Sequence, residues 1–213
     1  MKLIYENPLG QPDDIREFVL EGKAVIRFED GAMAMENAIA GTFEQKANYV
    51  LWCPLNFPAD VEIHWEFQPV TDVGLCILFM AAAGRNGEDL FDPALKKRTG
   101  EYSQYHSGDI NAFHVSYFRR KEPDERAFHT CNLRKSYGFH LVAQGSDPIP
   151  EADECTDFYH LMMRKEKNMV TFFVNELEIF RYIDDGKTYG SLLGGGKIGF
   201  RQLAPLKAKY KNL

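Results

Sequence analysis

The chain has 213 residues, 45% hydrophobic and 26% charged, a globular composition long enough to bury a core without disulfides. Its net charge of −6 and pI near 5.6 exclude the broad basic field of a general nucleic-acid surface, leaving open only a local basic patch. The longest apolar run, VGLCILFMAAAG, is about a dozen residues and falls short of the roughly 18 of a membrane-spanning helix.

From the N-terminus, MKLIYENPLGQPDD has only three apolar residues after its lysine and reads as no secretory leader. PDDIREFVLEG is at best one short helical turn or a strand. AVIRF (Ala24–Phe28), AMAMEN (Ala32–Asn37) and YVLW (Tyr49–Trp52) are β-rich runs. The clearest strand is VEIHWEFQP (Val61–Pro69), with Val61, Ile63, Trp65 and Phe67 on one face and Glu62, His64, Glu66 and Gln68 on the other. GLCILFMAA (Gly74–Ala82) is apolar on both faces, as a strand covered on both sides would be. After it FHVSYF, GFHLVA, FYHLMMRK, MVTFFVN, LEIFRY and KIGFRQ continue the pattern, separated by turn-forming VNELE, DDGKTYG and LLGGGK. The triple glycine Gly194–Gly196 precedes a strand, so it reads as a turn and not as a phosphate loop. Ten or more strands without a long amphipathic helix predict an all-β, two-sheet antiparallel jelly-roll sandwich, with residues 1–213 as one domain.

Two regions interrupt the rhythm. A loop from about Ala83 to Ile110 is longer than the 12–15 residues usual for a passive connection, and its Tyr and His content argues against disorder. Arg119–Ser136 carries six basic residues against three acidic, a local excess opposed to the whole chain. Asp147–Asp157, with five acids, reads as a solvated loop. Cys53, Cys76, Cys131 and Cys155 are scattered, with no CxxC pair, which suits a cytoplasmic protein with reduced thiols.

Four stretches carry a family resemblance: GLCILFMAAAGRNGEDLFD, RTGEYSQYHSGDINAFHVSYFRR, CNLRKSYGFHLVAQGSDPIP and the closing DDGKTYGSLLGGGKIGFRQLAPLKAKYKNL. The sequence resembles the YesU family of bacterial proteins, within the concanavalin A-like lectin/glucanase superfamily. The resemblance implies a jelly roll and an association with bacterial breakdown of plant polysaccharides.

In such a sandwich the strand AFHVSYF sends Phe113, Val115 and Tyr117 to the core, and His114 and Ser116 to a groove, joined by Arg120. Arg119 has the other parity, which a bulge at the strand end would re-aim. His64, Glu62 and Glu66 are expected to line the same groove. Glycoside hydrolysis needs two carboxyls about 5–9.5 Å apart, whereas Glu62 and Glu66 lie roughly 13 Å apart along one strand. The closely spaced carboxylates of the superfamily's glucanases are missing. Glu101 or Asp109 would have to supply a partner from the long loop.

β-Elimination from a uronate suits the residue types better. His106 or His114 would be the base, Tyr105 or Tyr117 the acid, and Arg98, Arg119 or Arg134 the carboxylate clamp. Plainer readings stand beside these: hydrogen-bonded histidines, a core Tyr117, Arg119 and Arg120 paired with Asp109, Glu122 or Asp124, and HSGD (His106–Asp109) as a turn. His140 and His160 read as structural. Neither metal nor cofactor is expected, because no compact ligand spacing occurs. The expected partner is an oligosaccharide, for a lyase or hydrolase or else a non-catalytic sugar-binding module. No nucleic-acid or membrane partner is expected, and homo-oligomerisation stays open.

Overall fold

The computed structural model describes residues 2–39, 44–120 and 129–213, which form two seven-stranded antiparallel sheets packed face to face. The strands are β1 (Val19–Gly22), β2 (Ala24–Glu29), β3 (Ala32–Asn37), β4 (Tyr49–Trp52), β5 (Val61–Pro69), β6 (Leu75–Gly84) and β7 (Ile110–Tyr117). They continue as β8 (Thr130–Ser136), β9 (His140–Ser146), β10 (Tyr159–Glu166), β11 (Met169–Val174), β12 (Leu177–Ile183), β13 (Lys197–Leu203) and β14 (Ala208–Lys211). The first sheet runs β1-β4-β13-β6-β7-β8-β9 and the second β12-β11-β10-β5-β14-β3-β2, a jelly-roll sandwich. The one α-helix among the described residues is a single turn, α1 (Ser103–His106), and no described helix is long and apolar enough to cross a membrane.

Alternation builds the core. Val61, Ile63, Trp65 and Phe67 of β5 face Phe113, Val115 and Tyr117 of β7 across the inter-sheet space. There the Trp65 indole N–H donates to the Tyr117 hydroxyl at 3.2 Å. PDDIREFVLEG divides into a 3-10 turn at Pro12–Ile15 and β1. β8 falls within the stretch whose charge breaks the sequence pattern. Its Cys131 and Leu133 join the core, while Lys135, of the same parity, is buried and paired with Asp184 at 2.7 Å. Residues 121–128 of that stretch, with Glu122 and Asp124, lie outside the described residues.

β6 is buried on both faces because the long loop folds down over the outer face of the first sheet. Leu90, Tyr105 and Ile110 pack there on Val50, Trp52, Ile77 and Phe79, forming a second apolar layer. A carboxylate from β1 fastens this cover. Glu21 pairs with Arg98 at 2.8 Å and accepts from the Trp52 indole N–H and the Tyr105 hydroxyl, both at 2.9 Å. Gly100, at φ +100°, lets the cover touch the sheet, since a Cβ there would meet the Asn48 carbonyl oxygen at 2.0 Å.

Candidate functional site

The cover leaves the β7–β8–β9 side of the outer face. Cross-strand register sets two polar rows there, His114 and Arg134 in one and Ser116, Asn132 and Gln144 in the next, which continue under the cover to Phe79 and Ile77 of β6. Because Phe113, Val115 and Tyr117 face the core, the β7 members of both rows must point the other way. Tyr102, the residue before α1, anchors the group. Its hydroxyl lies 2.8 Å from His114 Nε2, and its ring meets His106 at 4.8 Å and Phe139 at 5.4 Å between centroids. The Arg201 guanidinium lies 4.6 Å from the Tyr102 ring centre, and that of Arg134 lies 3.7 Å from the Phe139 ring centre. Phe139 is 46% exposed, so the cluster presents aromatic surface to solvent.

The electrostatics are cationic. Arg201 is wholly buried, with one amine donating to the Gly100 carbonyl at 3.0 Å. Its Nε and Nη1 have no hydrogen-bond partner among the described residues. Burial brings its pKa down to about 10. Among the described residues, no carboxylate lies within ion-pair distance of Arg201 or Arg134. Burial pushes the Tyr102 hydroxyl up to about 12 against the pull of Arg201, Arg134 and Arg119. Burial, then the charges of Arg134, His106 and Arg201, holds His114 well below the usual histidine range. Tyr102 therefore keeps its proton and donates to neutral His114. The His114 Nδ1–H is then a buried donor with no partner among the described residues.

A pH dependence of stability follows. His114 stays neutral in the fold, whereas an unfolded histidine takes a proton near pH ~6.5. Below that pH the unfolded state binds the extra proton, so this contribution is complete above about 6.5 and is lost as pH falls, by up to ~1.4 kcal/mol per pH unit. Urea unfolding between about pH 6.5 and 5 should show this slope, and H114Q should flatten it. An unchanged slope in H114Q would assign it to another group.

Of the residues singled out in the sequence, His106, His114, Ser116, Arg119 and Arg134 share this face. Arg119 reaches it because Phe118, at φ +48°, turns the strand end. Its guanidinium donates to Thr130 on β8 at 2.9 Å. The same turn overturns the expectation for Arg120, which is buried, donates to the Ile149 carbonyl at 2.7 Å and lies 3.7 Å from Asp147. Tyr105 and Arg98 are corrected as well, since both are spent on Glu21 beneath the cover. Tyr117 lies in the inter-sheet core beside Trp65, beyond reach of a ligand on this face.

His64 and Glu66 do not line this face either. β5 belongs to the other sheet, and they point outward from it: His64 contacts Glu62 at 2.6 Å and His160 at 2.9 Å, and Glu66 pairs with Lys211. Asp109 accepts the Lys96 backbone N–H at 2.7 Å as a tie within the cover. Glu101 is exposed before α1, and its carbonyl accepts from Gln104 N–H. Tyr102, Asn132, Phe139 and Arg201 escaped the sequence reading. Asn132 shares the outward parity of Arg134, the one signal that would have found it. No described group of three or more His, Cys, Asp or Glu side chains is placed to hold a metal ion.

Comparison with known proteins adds three findings. Residues 2–213 match the family model described as a domain of unknown function, DUF1961. The chain is 50% identical over 209 residues to the protein YesU of Bacillus subtilis (strain 168), covering 98% of this chain and 93% of that protein. Among solved structures it resembles a Bacillus subtilis protein described as having a galectin-like fold, with TM-score 0.93, 50% identity, and coverage of 98% and 93%. A laminarinase from Flavobacterium sp. UMI-01 shares the fold at TM-score 0.62 and 12% identity, with 99% of each chain covered.

Proposed function

The chain belongs to the DUF1961 family, and from that starting point we propose that it holds a carboxylate-bearing oligosaccharide, of the pectic type, on the outer face of its first sheet. The observation that carries this reading is the part-exposed Arg134 guanidinium, with the buried charge of Arg201 behind Tyr102, and no carboxylate of the described residues in ion-pair range of either, on a chain of net charge −6. A planar guanidinium matches a carboxylate with two parallel hydrogen bonds. Phe139 offers a flat apolar surface to the CH face of a pyranose. Gln144, exposed in the neighbouring row and bonded to the buried Asn132, supplies an amide beside it. The galectin-like description of one relative and the laminarinase fold are in keeping with a sugar ligand. Four buried, unpaired cysteines suit a reducing compartment, which supports a cytoplasmic place for this binding.

Isothermal titration with oligogalacturonates and with neutral glucan oligosaccharides tests the proposal. The acidic chains should bind at least about tenfold tighter, with an affinity that falls as salt rises. Equal binding of the neutral chains, or no binding of the acidic ones, overturns it.

One observation favours a second reading, β-elimination. Tyr102 retains its proton, and His106, half-exposed beside it, is held below the usual histidine range by burial and by Arg201 and Arg134. His106 would take the proton next to the carboxylate, the freed pair would form the ring double bond, and the C–O bond to the leaving sugar would break. The leaving oxygen would take the Tyr102 proton. Growth of the unsaturated product's ultraviolet absorbance, lost in Y102F, is the expected sign; binding without that product leaves a lectin-like protein.

A further inference from the structure

At the end of the first sheet, past the Ser136–His140 connection between β8 and β9, lies a cleft of about 750 Å³. That size is within the range of small-molecule sites. Its walls are the turn after β6, Asn111, the β8–β9 connection and the segment 188–195 that leads into β13. The connection serves both sides: Phe139 packs on His106 at the sheet face, while Tyr137 lines the cleft.

The walls are held in place without a ligand. Lys135 donates from its buried ammonium to the carbonyls of Gly190 and Ser191 at 3.0 and 2.9 Å and pairs with Asp184, which fastens the far wall. Gly138, at φ +89°, makes room for the His140 ring, because a Cβ there would meet Nε2 at 2.2 Å. That ring stacks on Tyr189 at 4.5 Å.

Three features define the chemistry of the occupant. No aspartate or glutamate lines the cleft among the described residues, although acids outnumber bases in the chain. The Arg85 guanidinium lies 3.9 Å from the centre of the Tyr137 ring and has no carboxylate of the described residues in ion-pair range. Ser136 lines the cleft and is 1% exposed, and its hydroxyl has no hydrogen-bond partner among the described residues. A buried hydroxyl left unpaired is costly unless something else binds it.

We propose that this cleft is a second ligand site that takes a monomeric sugar acid. Its ring lies between Tyr137 and Tyr189, its carboxylate is paired with Arg85, and one of its hydroxyls is bonded to Ser136. The proposal does not depend on the reading of the sheet face.

Isothermal titration of the intact protein with D-galacturonate, D-galactose and acetate tests it. Galacturonate should bind with about millimolar affinity, as expected for a ligand of its size. Galactose and acetate, each lacking one half of the recognition, should bind at least about tenfold more weakly. R85A should weaken galacturonate about tenfold or more, and S136A should weaken it to a lesser degree. Both variants should fold, because Arg85 is exposed and the Ser136 hydroxyl makes no hydrogen bond to the described residues. A loss in R134A with none in R85A would put the sugar acid on the sheet face and overturn the cleft proposal while sparing the face reading. Equal binding of galactose or acetate, or no binding of galacturonate at about ten times the expected constant, also overturns it.

Discussion

Replacing Glu21 by alanine should destabilise the protein by about 3–5 kcal/mol, the range for breaking one partner out of a buried ion pair. The Glu21 and Arg98 side chains retain only 10% and 5% of their exposure, so the guanidinium left behind cannot recover its hydration. The Trp52 indole N–H and the Tyr105 hydroxyl lose the acceptor they share as well. Two of these three donors, Arg98 and Tyr105, tie the 85–109 cover to the sheet, so much of the loss should be concentrated there. Trypsin should cut E21A at the exposed Lys96 and Lys97 far faster than the parent protein. E21Q keeps the shape and an acceptor oxygen but gives up the charge, and should fall between the two. Denaturant unfolding measures the first effect and timed proteolysis the second. A loss below about 1 kcal/mol in E21A would mean that the apolar layer of Leu90, Tyr105 and Ile110 holds the cover unaided.

Glu21 also marks how far the sequence could be read. Period-two alternation in Val61–Pro69 and the doubly apolar run of β6 specify a covered sandwich, because both patterns are local. The groups that make the face a site are brought together by pairing between distant segments, for which no local pattern exists. Glu21 meets Arg98 from 77 residues away, and Arg201 meets the Gly100 carbonyl from 101. Tyr102 and Tyr105 stand one helical turn apart in the same loop. One faces His114 and the other Glu21, a division set by which side of the cover meets the sheet. Parity carried His114 and Ser116 to the right face, then failed four residues later at Arg120, since one residue of positive φ, Phe118, reverses all that follows. β8 was concealed for a different reason. Lys135 occupies a core parity, and only Asp184, with the carbonyls of Gly190 and Ser191, makes its burial tolerable.

Arg134 should carry more of the proposed acidic-oligosaccharide binding than any other single side chain on the face. A hydrogen bond to a charged group contributes about 1.5–3 kcal/mol, so R134A should weaken oligogalacturonate binding by roughly 10- to 150-fold. Stability should change far less. In the free protein Arg134 donates to the Phe139 carbonyl at 3.0 Å and packs on that ring, but it pairs with no carboxylate of the described residues that its removal would leave bare. R134K restores the charge without the planar fork or the stacking on Phe139, and should recover part of the affinity. Salt separates charge recognition from packing: the parent protein's affinity should fall as salt rises, and that of R134A should fall less steeply. If R134A weakens neutral and acidic chains to the same degree with an unchanged salt slope, the side chain works only by holding Phe139 in place. The carboxylate would then have to be recognised elsewhere on the molecule.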